Sequence, residues 1–283
     1  MATPNPMGKN PTSLRAFLGF PGRQRRRFKI LARVSSHHAR QLTVGYIGKM
    51  AVMNMSRTLA VIGVAISLGA QSLTTVHQSR VRDFAERSAK LDTRFESHVF
   101  QSRNGRTMPY RLFRPSEGSD KLPLVVYLHG SGGLGDDNIR QIEGGNIFGT
   151  HVWALDDNQS RLPAFVIAPQ THVSQGWGQE GMEIAIELTQ ALIRDLPIDP
   201  ARIYLTGQSM GGMGTWNMLA AHPQFFAAAV IVCGGGDPGQ ASLIRGTPIW
   251  IFHGTRDKAI RVESARLIAQ ALTKEGNKPK YTR

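Results

Sequence analysis

From about Phe95 onward the apolar and polar positions fall into short, regular segments. Phe95 to Gln101 and Thr107 to Phe113 alternate with the period of two that a half-buried strand requires, and Arg103-Asn104-Gly105-Arg106 between them is a turn sequence. The pair predicts an antiparallel hairpin. Continuous apolar runs follow at Leu122 to Leu128, Ala164 to Ala168, Ile203 to Thr206, Ala227 to Val232 and Pro248 to Phe252. A strand covered on both faces has no polar side, so these runs predict buried parallel strands. Helical spacing separates them, most clearly at Glu180 to Leu196, Gly212 to Ala221 and Val262 to Lys274. Strands alternating with helices predict an α/β fold, with a mostly parallel sheet, helices on both faces and chemistry at the carboxyl ends of the strands.

The first third of the chain lacks this pattern. Residues 1–52 show no sustained apolar period and carry the run Arg23-Gln24-Arg25-Arg26-Arg27-Phe28-Lys29, so they are expected to be a disordered basic extension, or to lie upstream of the true start. Within 53–71, Arg57 leads into the apolar run Thr58 to Ala70, with small residues at Ser67, Gly69 and Ala70 and candidate starts at Met50, Met53 and Met55 just before it. That layout resembles a secretory signal and is short for a membrane span. It predicts a secreted or periplasmic mature chain, with an N-terminal membrane anchor as the alternative. Residues 72–93 read as a linker and 94–283 as the folded domain.

Composition narrows the picture. With 41% apolar and 19% charged residues over 283 positions, the chain can bury a sizeable core, which excludes global disorder. Its net charge of +14 is unevenly spread: residues 1–82 hold 13 basic and no acidic side chains, whereas 83–283 hold 21 basic and 20 acidic. The basic character therefore belongs to the N-terminal extension, and charge gives no reason to expect a nucleic-acid partner for the domain. Cys233 is the sole cysteine, which excludes an internal disulfide and a cysteine-based zinc site. No metal and no cofactor is expected.

The strongest chemical signal is Tyr204-Leu205-Thr206-Gly207-Gln208-Ser209-Met210-Gly211-Gly212. An apolar strand enters this G-x-S-x-G segment and a helix leaves it, the context in which a tight turn exposes a serine hydroxyl above a sheet. Ser209 is the candidate nucleophile, and the backbone N–H of Met210, at a helix N-terminus, is a candidate donor to a developing oxyanion. Leu128-His129-Gly130-Ser131-Gly132-Gly133 follows the first long strand and offers a second donor, the N–H of Ser131 or of Gly132. His129 is expected to shape that loop. In this fold an acid follows the nucleophile. Asp257, in Trp250-Ile251-Phe252-His253-Gly254-Thr255-Arg256-Asp257, is the candidate, with Asp237 as the alternative one strand earlier. The base should be a His after Asp257, yet all nine His lie at or before His253. His253 is expected to support its own loop and His222 to pack. A serine without its base loses most of its reactivity, so the chain as given is expected to be a fragment or a truncated, impaired form.

These residues resemble the dienelactone-hydrolase-like and prolyl-oligopeptidase-like branch of the α/β-hydrolases, in particular secreted esterases or peptidases related to feruloyl esterases and polyhydroxybutyrate depolymerases. The resemblance covers Phe95 to Arg283 and rests on segments 122–138, 165–170, 202–230 and 248–260. It implies the α/β-hydrolase fold, Ser209 as nucleophile, Asp257 as triad acid, and Met210 and Ser131 as oxyanion donors. It also implies a substrate cleft near Trp177 and His129, although a core position suits Trp177 equally. Relatives continue past the equivalent of Lys280-Tyr281 into a loop that bears the catalytic His. The expected activity is hydrolysis of a small or polymer-derived carboxylic ester, with a peptidase or a binding homologue of impaired activity as alternatives.

Overall fold

The hairpin and the apolar runs join into one eight-stranded sheet in a computed structural model that describes residues 78–116, 121–172, 176–244 and 246–283. The strands are β1 (Phe95–Gln101), β2 (Thr107–Phe113), β3 (Leu122–Leu128), β4 (Phe165–Pro169), β5 (Ile198–Gln208), β6 (Ala228–Val232), β7 (Ile249–Phe252) and β8 (Lys280–Thr282), in the spatial order β1-β2-β4-β3-β5-β6-β7-β8. β1 and β2 pair antiparallel, as does β2 with β4, and every later pairing is parallel. Helix α1 covers 78–89. It is followed by α2 (Ile147–Ala154), α3 (Gln179–Asp195), α4 (Met210–Ala221) and α5 (Val262–Lys274).

The sheet separates two apolar layers. Alternation within β3 sends Leu124, Val126 and Leu128 to one face, where they meet Leu188 of α3, Trp216 of α4 and Ile268 of α5. Val125 and Tyr127 point to the other, toward Val152 and Trp153 of α2 and Phe84 of α1. Because β3, β4, β6, β7 and the second half of β5 are covered on both sides they carry no polar face, which is why they read as apolar runs. Among the described residues no helix is long and apolar enough to cross a membrane.

One boundary differs from expectation. Residues 72–93 read as a linker, but 78–89 are helical and bury Phe84 and Leu91, with the Phe84 ring stacked on Phe148 at 5.0 Å. Phe84, Ser88 and Leu91 are spaced to fall on one helix face. Only these three positions of the helix and the turn after it are buried, too few to stand out among the charged residues around them. The basic extension at 1–52 and the signal-like segment at 53–71 lie outside the described residues.

Candidate active site

Parallel pairing brings the chemistry to one edge of the sheet. Leu128 at the end of β3 is level with Gly207 of β5, and Gln208 is level with Val232 of β6, itself level with Phe252 of β7. The loops that leave these strands therefore start side by side.

Ser209 occupies the turn between β5 and α4 with φ 53° and ψ −119°. A non-glycine residue held there stores about 1–3 kcal/mol of backbone strain, which surrounding structure must fix. Its N–H donates to the Val232 carbonyl at 2.9 Å, and its carbonyl accepts from Met213 N–H at 3.0 Å. The flanking glycines leave no room for side chains. A Cβ on Gly207 would lie 2.3 Å from the Gly211 carbonyl oxygen, and one on Gly211 would lie 2.0 Å from that of Leu128. Met210 is the first residue of α4, so its N–H has no partner inside the helix and contributes to the positive end of the helix dipole.

The loop after β3 is fixed peptide by peptide. Gly130 N–H donates to Asn146 Oδ1 at 3.1 Å, and the Trp177 indole N–H donates to the His129 carbonyl at 2.9 Å. In the next peptide the Gly130 carbonyl accepts from His129 Nδ1 at 2.8 Å and from Gly133 N–H at 2.9 Å. Thr171 N–H donates to His129 Nε2 at 3.1 Å, so the proton of this imidazole must reside on Nδ1. Burial lowers the His129 pKa to about 4, opposed by the bond to Gly130, and the ring is neutral at pH 7. Ser131 N–H and Gly132 N–H take no partner among the described residues, and both residues are exposed.

Asp257 sits beyond β7, half-buried. Its Oδ1 accepts from Ala259 N–H at 2.9 Å and Ile260 N–H at 3.0 Å, while Oδ2 lies 3.5 Å from His253 Nε2. That nitrogen is 2.8 Å from the Ile260 carbonyl, which can only accept, so His253 donates from Nε2 and closes the Asp257 loop. Asp237, the alternative acid, accepts from Gly239 N–H at 2.8 Å and caps its own short turn. Cys233 stands between nucleophile and acid in the sheet order, at the end of β6, with φ 44°. Burial raises its thiol pKa, opposed by the Ser209 backbone and reinforced by the Asp257 charge.

The structure thus gathers Ser209, Met210, Ser131, Gly132 and Asp257 at the carboxyl end of the sheet. Trp177 and His129 are not in a cleft: they are 4% and 0% exposed, with ring centroids 4.9 Å apart, and act from beneath on the loop. The fixed donor and ring contacts need a dry environment, which places them in the core. The imidazoles of His98, His129, His151, His222 and His253 bond to Glu96, Gly130 and Thr171, Asp92 and Thr150, Glu183, and Ile260, none of them to Ser209. Sequence reasoning missed Asn146 and the position of Cys233. Only the carboxyl-end placement of Cys233 was available as a signal.

Residues 170–242, which include the elbow, match the prolyl oligopeptidase family. The chain is 25% identical over 168 residues to the bifunctional acetylxylan esterase/xylanase XynS20E of Neocallimastix patriciarum, covering 58% of this chain and 23% of that one. The crystal structure of a thermostable esterase superposes with a TM-score of 0.65 at 37% identity, over 68% of this chain and 55% of the other. The acylaminoacyl peptidase of Pyrococcus horikoshii shares the fold at a TM-score of 0.51 and 14% identity, over 66% of this chain and 36% of the peptidase. The chain spans about a quarter of the curated esterase/xylanase and about half of the solved esterase. With its strand order and these likenesses together, the chain has the α/β-hydrolase fold and is similar to esterases and to peptidases of the prolyl oligopeptidase family.

Proposed function

We propose that this protein is a serine hydrolase that cleaves carboxylic esters through an acyl-enzyme at Ser209. The observation that carries the reading is the backbone of Ser209, held at a positive φ between β5 and α4 beside the N–H of Met210, which takes no partner among the described residues. In this reading the Ser209 hydroxyl oxygen attacks the ester carbonyl carbon, and the electron pair moved onto the carbonyl oxygen is held by the N–H groups of Met210 and Ser131. Collapse expels the alkoxide, which takes the proton the serine gave up and leaves as the alcohol; water then attacks the acyl carbon, releases the acid and returns a proton to Ser209. Asp257 would orient the imidazole that takes the serine proton and stabilise it once charged. No base is assigned, since the imidazoles described above bond elsewhere. Likeness to an acetylxylan esterase and to a thermostable esterase supports an ester substrate, small or polymer-derived.

A peptidase is the second reading, favoured by the match of 170–242 to the prolyl oligopeptidase family. The test compares p-nitrophenyl esters of short acyl chains with aminoacyl anilides, using protein expressed from its complete gene and its Ser209→Ala variant. Ester turnover lost on substitution of Ser209 supports the first reading; anilide turnover lost in the same way supports the second. Turnover of neither, with binding of oligosaccharide esters, would leave a binding homologue. The signal-like segment 53–71 further supports export. N-terminal sequencing of the mature protein tests that.

A further inference from the structure

We infer that Asn146 is a positioning residue for the oxyanion donor Ser131, an inference that rests on the ester-hydrolase reading above. Asn146 closes a short turn before α2 and is 4% exposed. Its Oδ1 accepts from the Tyr127 hydroxyl at 3.0 Å and from Gly130 N–H at 3.1 Å, and its Nδ2 donates to the Arg140 carbonyl at 2.9 Å. Two donors on one side and an acceptor on the other leave a single orientation for the amide.

The consequence follows from backbone geometry. In a trans peptide the N–H points opposite to the carbonyl, and the Gly130 carbonyl, in the peptide that carries Ser131 N–H, is held by the buried His129 Nδ1 and the buried Gly133 N–H. Ser131 N–H therefore points the other way, out of the protein, where Ser131 is exposed. Gly130 is buried and has no side chain to resist rotation of the peptide before it, so the Asn146 acceptor on its N–H, with the Trp177 indole on the carbonyl of that same peptide, fixes where the Ser131 peptide starts. The Asn146 side chain joins β3, the Ser131 loop and the Arg140 turn. Substrate need never touch it.

The test uses Asn146→Leu, similar in volume and without polar atoms, beside Gln141→Leu. Gln141 is an equally buried amide that donates to Asn138 Oδ1 at 2.5 Å and bonds to neither Gly130 nor Ser131. Loss of a whole oxyanion donor costs about 100- to 1,000-fold, so misorienting one should lower kcat for the ester substrate by about 10- to 100-fold, with KM within about twofold. Gln141→Leu should lower the melting temperature and keep kcat within about twofold. Amide hydrogen exchange reads the contact directly: Gly130 should exchange at least about tenfold faster in Asn146→Leu, yet stay protected in Asn146→Asp, which retains the acceptor. Unchanged kcat in Asn146→Leu, an equal kcat loss in Gln141→Leu, or Gly130 unprotected in Asn146→Asp would each overturn the inference while leaving the hydrolase reading in place. Undiminished turnover in Ser209→Ala overturns the reading itself and the inference with it.

Discussion

The indole nitrogen of Trp177 donates to the carbonyl oxygen of His129 at 2.9 Å, across 48 positions of sequence and wholly inside the protein. Trp177→Phe keeps most of the ring and removes the donor, leaving a buried carbonyl short of a partner. The expected cost is about 1–3 kcal/mol in a denaturant titration. Retention of full stability would mean that the bond contributes nothing to holding the Ser131 loop.

Crowding at the elbow gives a second expectation. Gly211→Ala would set a methyl group 2.0 Å from the Leu128 carbonyl oxygen, a backbone atom that cannot swing aside. Overpacking of this kind costs about 1–3 kcal/mol or more and should also displace Met210. Gly254→Ala meets nothing within 4 Å and should change stability by less than about 0.5 kcal/mol. Thermal melts of the two variants beside the parent check the contrast.

The neutral His129 predicts acid sensitivity. The unfolded chain takes up this proton near pH 6.5 and the folded chain only near 4, so stability is complete above pH 6.5 and falls as pH drops between those values. At about 1.4 kcal/mol per unit the loss reaches roughly 3 kcal/mol. The buried His151 is shifted the same way, by burial outweighing its bond to Asp92, and adds to the slope. His129→Gln should therefore flatten, without abolishing, the dependence of unfolding free energy on pH from 6.5 to 4.

Asp257→Asn keeps a side-chain oxygen for the N–H groups of Ala259 and Ile260, so the loop should hold its shape. Its charge is lost. A triad acid made neutral lowers kcat by about 10,000-fold in the best-studied case, and a loss of about 1,000-fold or more is expected here, with little change in melting temperature. Asp237→Asn should leave ester turnover within about twofold, since that carboxylate only caps a turn.

The strands and the nucleophile turn were legible because local pattern determines them. β3 and α5 occupy the ranges predicted from periodicity, Leu122–Leu128 and Val262–Lys274, and the elbow is a contiguous motif. β5 proved longer than its apolar run, since Ile198 is tied to Leu122 through the β3 pairing although polar residues separate it from Ile203. The supports of the Ser131 loop were illegible for a related reason. Asn146, Trp177 and Thr171 act on it through backbone groups 16 to 48 positions away, and a backbone partner leaves no trace in side-chain spacing. A buried indole and one facing a cleft look alike in sequence. Helix α1 went unseen because two buried apolar residues, Phe84 and Leu91, among charged ones carry little periodic signal.

Labelling with a fluorophosphonate probe reads out whether Ser209 is an activated nucleophile. A single covalent adduct is expected, located by peptide mass spectrometry on Ser209 of the protein expressed from its complete gene, and none in Ser209→Ala. A folded protein that stays unlabelled, or an adduct that persists in Ser209→Ala, would contradict that expectation.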